Sequence, residues 1–268
     1  MPRRELVPDA FWRRIQPLLP ARPPKPKGGR PPADDRACLR GIIFVLKTGI
    51  QWEELPREVF GVSGMTCWRR LRDWYQAGVW QALQRELLAE LRRKGRLDLR
   101  RASADSSSVR ALKKGAATGP NPTDRAKAGS KHHLLVDRRG RPLAVRLTAA
   151  NRPDVRELLP LVDAVPPIRG RRGQPRRRPT KVHGDKGYAS AANRRGLRER
   201  GITPRIARPG IDSSERLGRY RWVVEQRLAI LHRFRRLRMR EERRADIHEA
   251  FLLLACDLML LRSLVRFC

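Results

Sequence analysis

The sequence predicts an α/β protein, a mixed sheet flanked by helices and preceded by a small all-helical domain of helix-turn-helix type. A change of period carries that prediction. Before about residue 95 the patterned segments repeat at helical intervals, and from about residue 100 strands begin and then alternate with helices. Three strands in succession, followed by helix, strand, helix, strand and helix, make a meander continued by crossovers. A parallel strand cannot be rejoined without a crossover, so this order gives a mixed sheet covered on both faces. The expected domains are residues 1–95 and residues 100–268.

Taken in order, ELVPDAFWRRIQPLL (5–19) has apolar positions at helical spacing, with Pro8-Asp9 as its entry. PARPPKPKGGRPP (20–32) is proline-rich and basic, an extended arm or linker; Gly29-Arg30-Pro31 within it suits a minor-groove arm and a stiff linker equally. Asp34 and Asp35 start a helix through DRACLRGIIFVLKTG, whose apolar face is Leu39, Ile42, Ile43 and Leu46 and which Gly49 ends. After the turn QWEELP and Ser63-Gly64, MTCWRRLRDWYQAGVW reads as a second helix, with Trp68, Leu71 and Trp74 inward and Arg69, Arg70 and Arg72 outward. Helix, turn and arginine-bearing helix is a helix-turn-helix pattern, the second helix being suited to a major groove and those arginines to DNA. ASADSSSVRAL, KHHLLVDRRGR and PLAVRLTAAN then read as strands, with Asp137-Arg138-Arg139-Gly140 as the tight turn between the last two. RPDVRELLPLVDAV reads as a helix, TKVHGDKGY as a strand and its exit, SAANRRGLRERG as a helix, ITPRIARPG as a strand and GRYRWVVEQRLAILHRFRRL as a long helix. AFLLLACDLMLLRSLVRF is interrupted by Asp257 and Arg262, too short and too charged to span a bilayer, and suits a buried helix that closes a core.

The charge is the second strong signal. There are 61 Lys+Arg against 27 Asp+Glu, a formal net charge of +34 in 268 residues, which points to a polyanionic partner. The run PPIRGRRGQPRRRPTK, with Arg171, Arg172, Arg176, Arg177 and Arg178, is suited to phosphate backbone and would supply affinity without sequence preference. The cysteines at 38, 67, 256 and 268 form no CxxC pair, and the histidines at 132, 133, 183, 232 and 248 form no array of zinc spacing. Reduced thiols in a cytoplasmic, nucleoid-associated protein are expected, with no structural zinc. The N-terminus MPRRELVPD has no apolar signal core.

Against that charge, three acids stand out. In the predicted topology the first strand is central and the strand after the first crossover helix pairs beside it in parallel, so Asp105 in the one and Asp185 at the end of the other meet at one sheet edge. Asp105 lies among the small residues Ala102, Ser103, Ala104 and Ser106, and Asp185 in His183-Gly184-Asp185-Lys186-Gly187-Tyr188, where glycines allow close backbone approach. Glu225 has Arg221 four residues before it, and Leu228 and His232 three and seven after it. Gathered carboxylates repel unless a cation binds between them, and hard oxygen ligands are what divalent-cation phosphodiester chemistry requires.

RASADSSSVRA, GPNPTDRAKAGSKHHLLVDRRGRPLAV, HGDKGYAS and GRYRWVVEQRLAILHRFRRLRMR, in this order, resemble the DDE transposases of bacterial insertion sequences, and more closely the IS-five family. LVPDAFWRRIQPLLP and LRGIIFVLKTGIQWEELP extend the resemblance to essentially the whole chain. It implies a ribonuclease H-like catalytic domain with Asp105, Asp185 and Glu225 as catalytic, metal-holding residues. It also implies two Mg2+ ions, with Mn2+ an acceptable substitute, and cleavage of element ends followed by strand transfer to target DNA. Forty residues separate Asp185 from Glu225, too few for a large inserted domain. Of the family's tyrosine-arginine-glutamate-lysine signature, Arg221 and Glu225 match, while Gly218 stands at the tyrosine position and His232 at the lysine position, with Tyr220 and Arg233 close by. Arg221, His232 and Arg233 are the expected backbone contacts beside Glu225. The implied partners are double-stranded DNA, as terminal inverted repeats and target, and further copies of the chain in a dimer or larger complex; no membrane is implied. The alternative is a DNA-binding regulator without catalysis, or an inactive copy.

Overall fold

Capping signals legible in the sequence bound the helix after the proline-rich arm where they were expected. The computed structural model describes residues 5–21, 31–170, 173–207 and 214–265. After α1 (Asp9–Ile15), helix α2 (Asp35–Thr48) begins at Asp34, whose carboxylate accepts from the Ala37 N–H at 2.7 Å, and ends at Gly49 with φ +77°. A single turn, α3 (Arg57–Phe60), leads to α4 (Gly64–Gln76). The segment 65–80 is not one helix: Gly78 takes φ +73°, and a new helix, α5 (Val79–Arg93), follows. That helix went unread in the sequence although Trp80, Leu83, Leu87, Leu88 and Leu91 bury one face of it.

The strands are β1 (Ala102–Arg110), β2 (Gly119–Pro120), β3 (Ala128–Asp137), β4 (Pro142–Ala149), β5 (Lys181–Gly184) and β6 (Thr203–Ile206). Strand β3 pairs with both β1 and β4 antiparallel, while β1–β5 and β5–β6 are parallel. Across the sheet the main strands therefore run β4-β3-β1-β5-β6, with β2 added beside β3. A three-strand meander with two parallel strands added on the far side of the first is the ribonuclease H-like arrangement, and β1 is central in it. The β3–β4 turn closes because Asp137 accepts from the N–H groups of Arg139 and Arg141, both at 2.8 Å, with Gly140 at φ +77°.

Helices α6 (Leu158–Asp163), α7 (Ala191–Glu199), α8 (Ser214–Leu231), α9 (Arg235–Arg238) and α10 (Ala245–Val265) cover the sheet. Strand alternation separates its faces. Ser103 Oγ donates to the Tyr220 carbonyl at 3.1 Å, and His132 meets His248 at 2.9 Å between their Nε2 atoms, so α8 and α10 lie over the face that also carries Asp105. His133 points the other way, to Thr148 and Asp154. The predicted helix over 152–165 is shorter than expected: a 3-10 turn at Asp154–Arg156 precedes α6. The long helix predicted after residue 218 ends at Leu231, and α9 follows a break.

One continuous hydrophobic cluster joins the N-terminal helices to the sheet. Helix α10 is its spine, with Phe251 stacked on Trp52 at 5.6 Å and Glu249 accepting from the Tyr75 hydroxyl at 2.5 Å. Each such large side chain, fully buried, contributes about 1.5–3 kcal/mol. Among the described residues no helix is long and apolar enough to cross a membrane.

Candidate active site

Three elements deliver the three acids. Asp105 stands in the middle of β1, opposite Leu134 of β3. Asp185 is the first residue past β5 and leads a 3-10 turn, Lys186–Tyr188, which carries the chain away from the sheet edge. Glu225 lies on α8, which the Ser103–Tyr220 hydrogen bond fixes against β1. The Tyr220 ring lies 5.2 Å from that of His183 and beneath the Arg101 guanidinium at 4.7 Å, so α8 is held over the seam between β1 and β5.

Arg221 joins two of the acids. Its Nη2 stands 3.7 Å from Asp105 Oδ2 and 3.3 Å from Glu225 Oε1. These are long contacts, and the environments are unequal: the Asp105 side chain is 15% exposed and that of Glu225 54%. Burial pushes the Asp105 carboxyl up to about 6; the Ser106 N–H at 2.8 Å and Arg221 oppose that, and Asp185 and Glu225 add to it. Asp185 Oδ1 is buried without a hydrogen-bond partner. Beside it, burial and the neighbouring Arg101, Arg205 and Lys181 lower His183 to about 4, so that ring is neutral.

A desolvated carboxylate, an orphaned carboxylate oxygen and a solvent-facing glutamate make a donor set of hard, anionic oxygens, which is the chemistry of a Mg2+ or Mn2+ site. Their spacing is wider than coordination requires. Among the described residues no three His, Cys, Asp or Glu side chains converge closely enough to hold an ion, and Arg221 supplies the positive charge between Asp105 and Glu225.

The remaining expected contacts are dispersed. His232 follows the last residue of α8, its N–H donating to the Leu228 carbonyl at 3.0 Å, with its ring 5.9 Å from that of His132. Arg233 is exposed and lines a cleft with Lys47, Arg227 and Arg262, with a volume of about 320 Å³. Arg69 is exposed; Arg70 pairs with Asp35 at 3.0 Å, and Arg72 pairs with Asp73 at 2.7 Å while lying 5.6 Å over the Trp68 ring. In the basic loop, Arg177 donates to the carbonyls of Asp163 and Val165 at the end of α6, and Arg178 to that of Arg200 at the end of α7. Both guanidiniums thus cap helix C-termini, where their charge suits the dipole. Arg176 is exposed. Arg171, Arg172 and the Gly29-Arg30 step of the proline-rich arm lie outside the described residues.

Residues 96–260 match the family model described as "Transposase DDE domain", and residues 7–84 that described as "Putative transposase of IS4/5 family". The chain belongs to the DDE transposases of the IS4/5 family. The "Putative transposase for insertion sequence element IS402" of Burkholderia cepacia is 59% identical over 149 residues, which cover 56% of this chain and 71% of that protein. The "Transposase for insertion sequence element IS1106" of Neisseria meningitidis serogroup B is 32% identical over 40% of this chain and 37% of its own length. Among solved structures, the Mos1 strand transfer complex covers 96% of this chain and 85% of its own at 12% identity, with a TM-score of 0.33, too low to carry an argument about geometry.

In this transposase two groups at the site went unread in the sequence. Arg101 had a legible signal, a basic pair immediately before the strand of Asp105. Asp154, in the turn after Asn151-Arg152-Pro153, had none, because its approach to the loop of Asp185 depends on how the crossover returns over the sheet.

Proposed function

We propose that this transposase is a divalent-cation-dependent enzyme that cleaves the ends of its element and joins them to target DNA, with Asp105, Asp185 and Glu225 as cation-holding catalytic residues. What supports the reading is that Asp185, at the end of β5, and Glu225, on α8, both stand near enough to Asp105 of β1 to act on its charge, in a chain of net charge +34. When bound, two Mg2+ ions, or Mn2+ in their place, would activate a water or a 3′-hydroxyl and stabilise the departing oxygen.

The chain's own residues supply the rest. Asp105 must be ionised to serve, and its raised pKa keeps it partly protonated near pH 6 until positive charge is brought to it. Arg221 bridges Asp105 and Glu225 by contacts longer than 3 Å, loose enough for its guanidinium to turn to a phosphate oxygen. Neutral His183 lines the seam without adding charge. Residues 1–95 are assigned to recognition of the terminal repeats through α4, with Arg69 its most open arginine, and residues 100–268 to catalysis. Arg176 and Arg233 are assigned to backbone contact. Two ends must be joined, so a dimer or larger DNA-bound complex is assigned on functional grounds, acting at the nucleoid in the cytoplasm.

The test is cleavage and joining of a labelled duplex carrying the element's terminal repeat, in Mg2+ and in Mn2+, by wild type and by Asp185→Asn. Wild type should nick and join, and the variant should bind the duplex and do neither. Nicking without joining would reduce the activity to that of a nuclease. Binding by both with reaction by neither would make the chain a DNA-binding regulator.

A further inference from the structure

A fourth carboxylate and a buried hydroxyl adjoin the proposed catalytic centre. Asp154, in the turn before α6, and Asp185 flank the same glycine: a Cβ placed on Gly187 would lie 3.1 Å from Asp185 Oδ1 and 3.7 Å from Asp154 Oδ2. The two carboxylates thus approach each other over the open side of Gly187. Asp154 is held from the sheet side by Lys131 Nζ at 3.0 Å, with His133 Nδ1 at 3.8 Å.

Tyr188 ends the turn that Asp185 begins. Its N–H donates to the Asp185 carbonyl at 3.2 Å, its own carbonyl accepts from Asn193 at 2.8 Å, and its ring packs against Gly184, where an added Cβ would stand 3.1 Å from Cδ2. The residue is 1% exposed, yet its hydroxyl makes no hydrogen bond of good geometry, with only a weak approach from Ser106. The polar groups that bear on that hydroxyl are Asp154, Asp105, Asp185 and Ser106. A buried hydroxyl this poorly partnered destabilises the fold unless something offsets it. A phenylalanine would fill the same space at no such cost, so the oxygen is unexplained by packing.

We infer that Tyr188 and Asp154 are positioning residues of the catalytic centre. The Tyr188 hydroxyl donates into the group of carboxylates when a divalent cation draws them together, orienting Asp185 for the cation, and Asp154 holds the far side of that donor. The proposal rests on the reading of Asp105 and Asp185 as cation ligands. Outer partners of this kind typically change metal affinity by about 10–100-fold when removed.

The test is Mn2+ binding to the full-length protein by isothermal titration calorimetry, with thermal melts in EDTA as the control for folding. It compares wild type, Tyr188→Phe, Asp154→Asn and Asp185→Asn. The expected result is binding by wild type, loss of it in Asp185→Asn, and affinity about tenfold weaker in both Tyr188→Phe and Asp154→Asn, with Tyr188→Phe melting at or above wild type. Wild-type affinity in both Tyr188→Phe and Asp154→Asn, alongside lost binding in Asp185→Asn, overturns the inference and leaves the ligand reading standing. Undiminished binding in Asp185→Asn, or none by wild type, overturns the ligand reading and the inference with it. If Tyr188→Phe melts far below wild type, Asp154→Asn decides: weakened binding upholds the shared role and undiminished binding ends it.

Discussion

Two arginine networks in this molecule use the same chemistry to opposite ends. Around Arg240, which is fully buried, every guanidinium nitrogen has a partner: Nε donates to the Glu242 carbonyl at 2.9 Å, Nη1 to Ser130 Oγ at 2.7 Å and the Ala117 carbonyl at 3.0 Å, and Nη2 to the Ala116 carbonyl at 2.8 Å. Its neighbour Arg236 binds Glu242 at 2.8 Å and Glu241 at 2.5 Å, and reaches the Ile50 carbonyl at 2.9 Å, tying α9 to the end of α2. Around Arg221 the contacts are 3.3 and 3.7 Å, Asp105 is desolvated and Asp185 keeps an orphaned oxygen. A network whose every donor and acceptor is satisfied holds structure together, whereas one left short of partners keeps charge available for a ligand.

The largest effect that would sharpen this contrast is on the unsatisfied side. Asp105→Asn should lower cleavage by about a thousandfold or more, roughly 4 kcal/mol of barrier, without loss of stability. A carboxyl whose folded pKa is raised from 3.8 to about 6 contributes stability that is complete below pH 4 and lost as the pH rises through 6. At pH 7 the ionised side chain therefore opposes folding, and Asn removes that opposition. Melts in EDTA should show Asp105→Asn at or above wild type at pH 7, the two converging toward pH 4. A variant that melts well below wild type at pH 7 would break the comparison.

On the satisfied side the expectation reverses. Arg240→Met should cost about 3 kcal/mol or more, because carbonyls and the Ser130 hydroxyl lose their donor in a place water does not reach. Urea unfolding would measure it. Activity per folded molecule should be unchanged, since among the described residues Arg240 contacts none of the three acids.

Much of the network around Arg221 was legible in the sequence and almost none of that around Arg240. Asp105, Asp185 and Glu225 could be aligned because the order of strands and helices fixes which element ends adjoin, and period alone reports that order. Asp34 and Gly49 bounded α2 correctly because caps are local chemistry. The partners of Arg240 lie in the loop at 116–117 and in β3, more than a hundred residues away in sequence, and no local pattern announces such a contact. The break at Gly78 went unread because the apolar spacing continues on both sides of it.

Between these extremes lies Arg221 itself. Arg221→Gln should slow cleavage about tenfold, near 1.4 kcal/mol. The same change should leave Mn2+ affinity equal or higher, because a competing cation between Asp105 and Glu225 is gone. The opposite signs matter: a purely structural arginine would weaken both. Calorimetry beside single-turnover cleavage would separate the two cases, and a parallel fall in both would assign Arg221 to the same class as Arg240.

The smallest effects test whether the distinction extends to α4, where Arg70 and Arg72 stand two residues apart. Arg70 ties α4 to the first turn of α2 through Asp35, with side chains 24% and 19% exposed, whereas Arg72 pairs, among the described residues, with its neighbour Asp73 and rests on Trp68. If partnered arginines are structural and loosely held ones are available to DNA, the two should differ in kind. Arg72→Ala should change stability by less than about 1 kcal/mol and lower the salt dependence of duplex binding by about one phosphate contact. Arg70→Ala should leave that slope untouched and loosen the α2–α4 pair instead, visible as a lower melting temperature. Were the slope to fall for Arg70 and not for Arg72, the ion pair to Asp35 would be a resting partner that DNA displaces, and partner count would no longer separate structural from functional arginines on this helix.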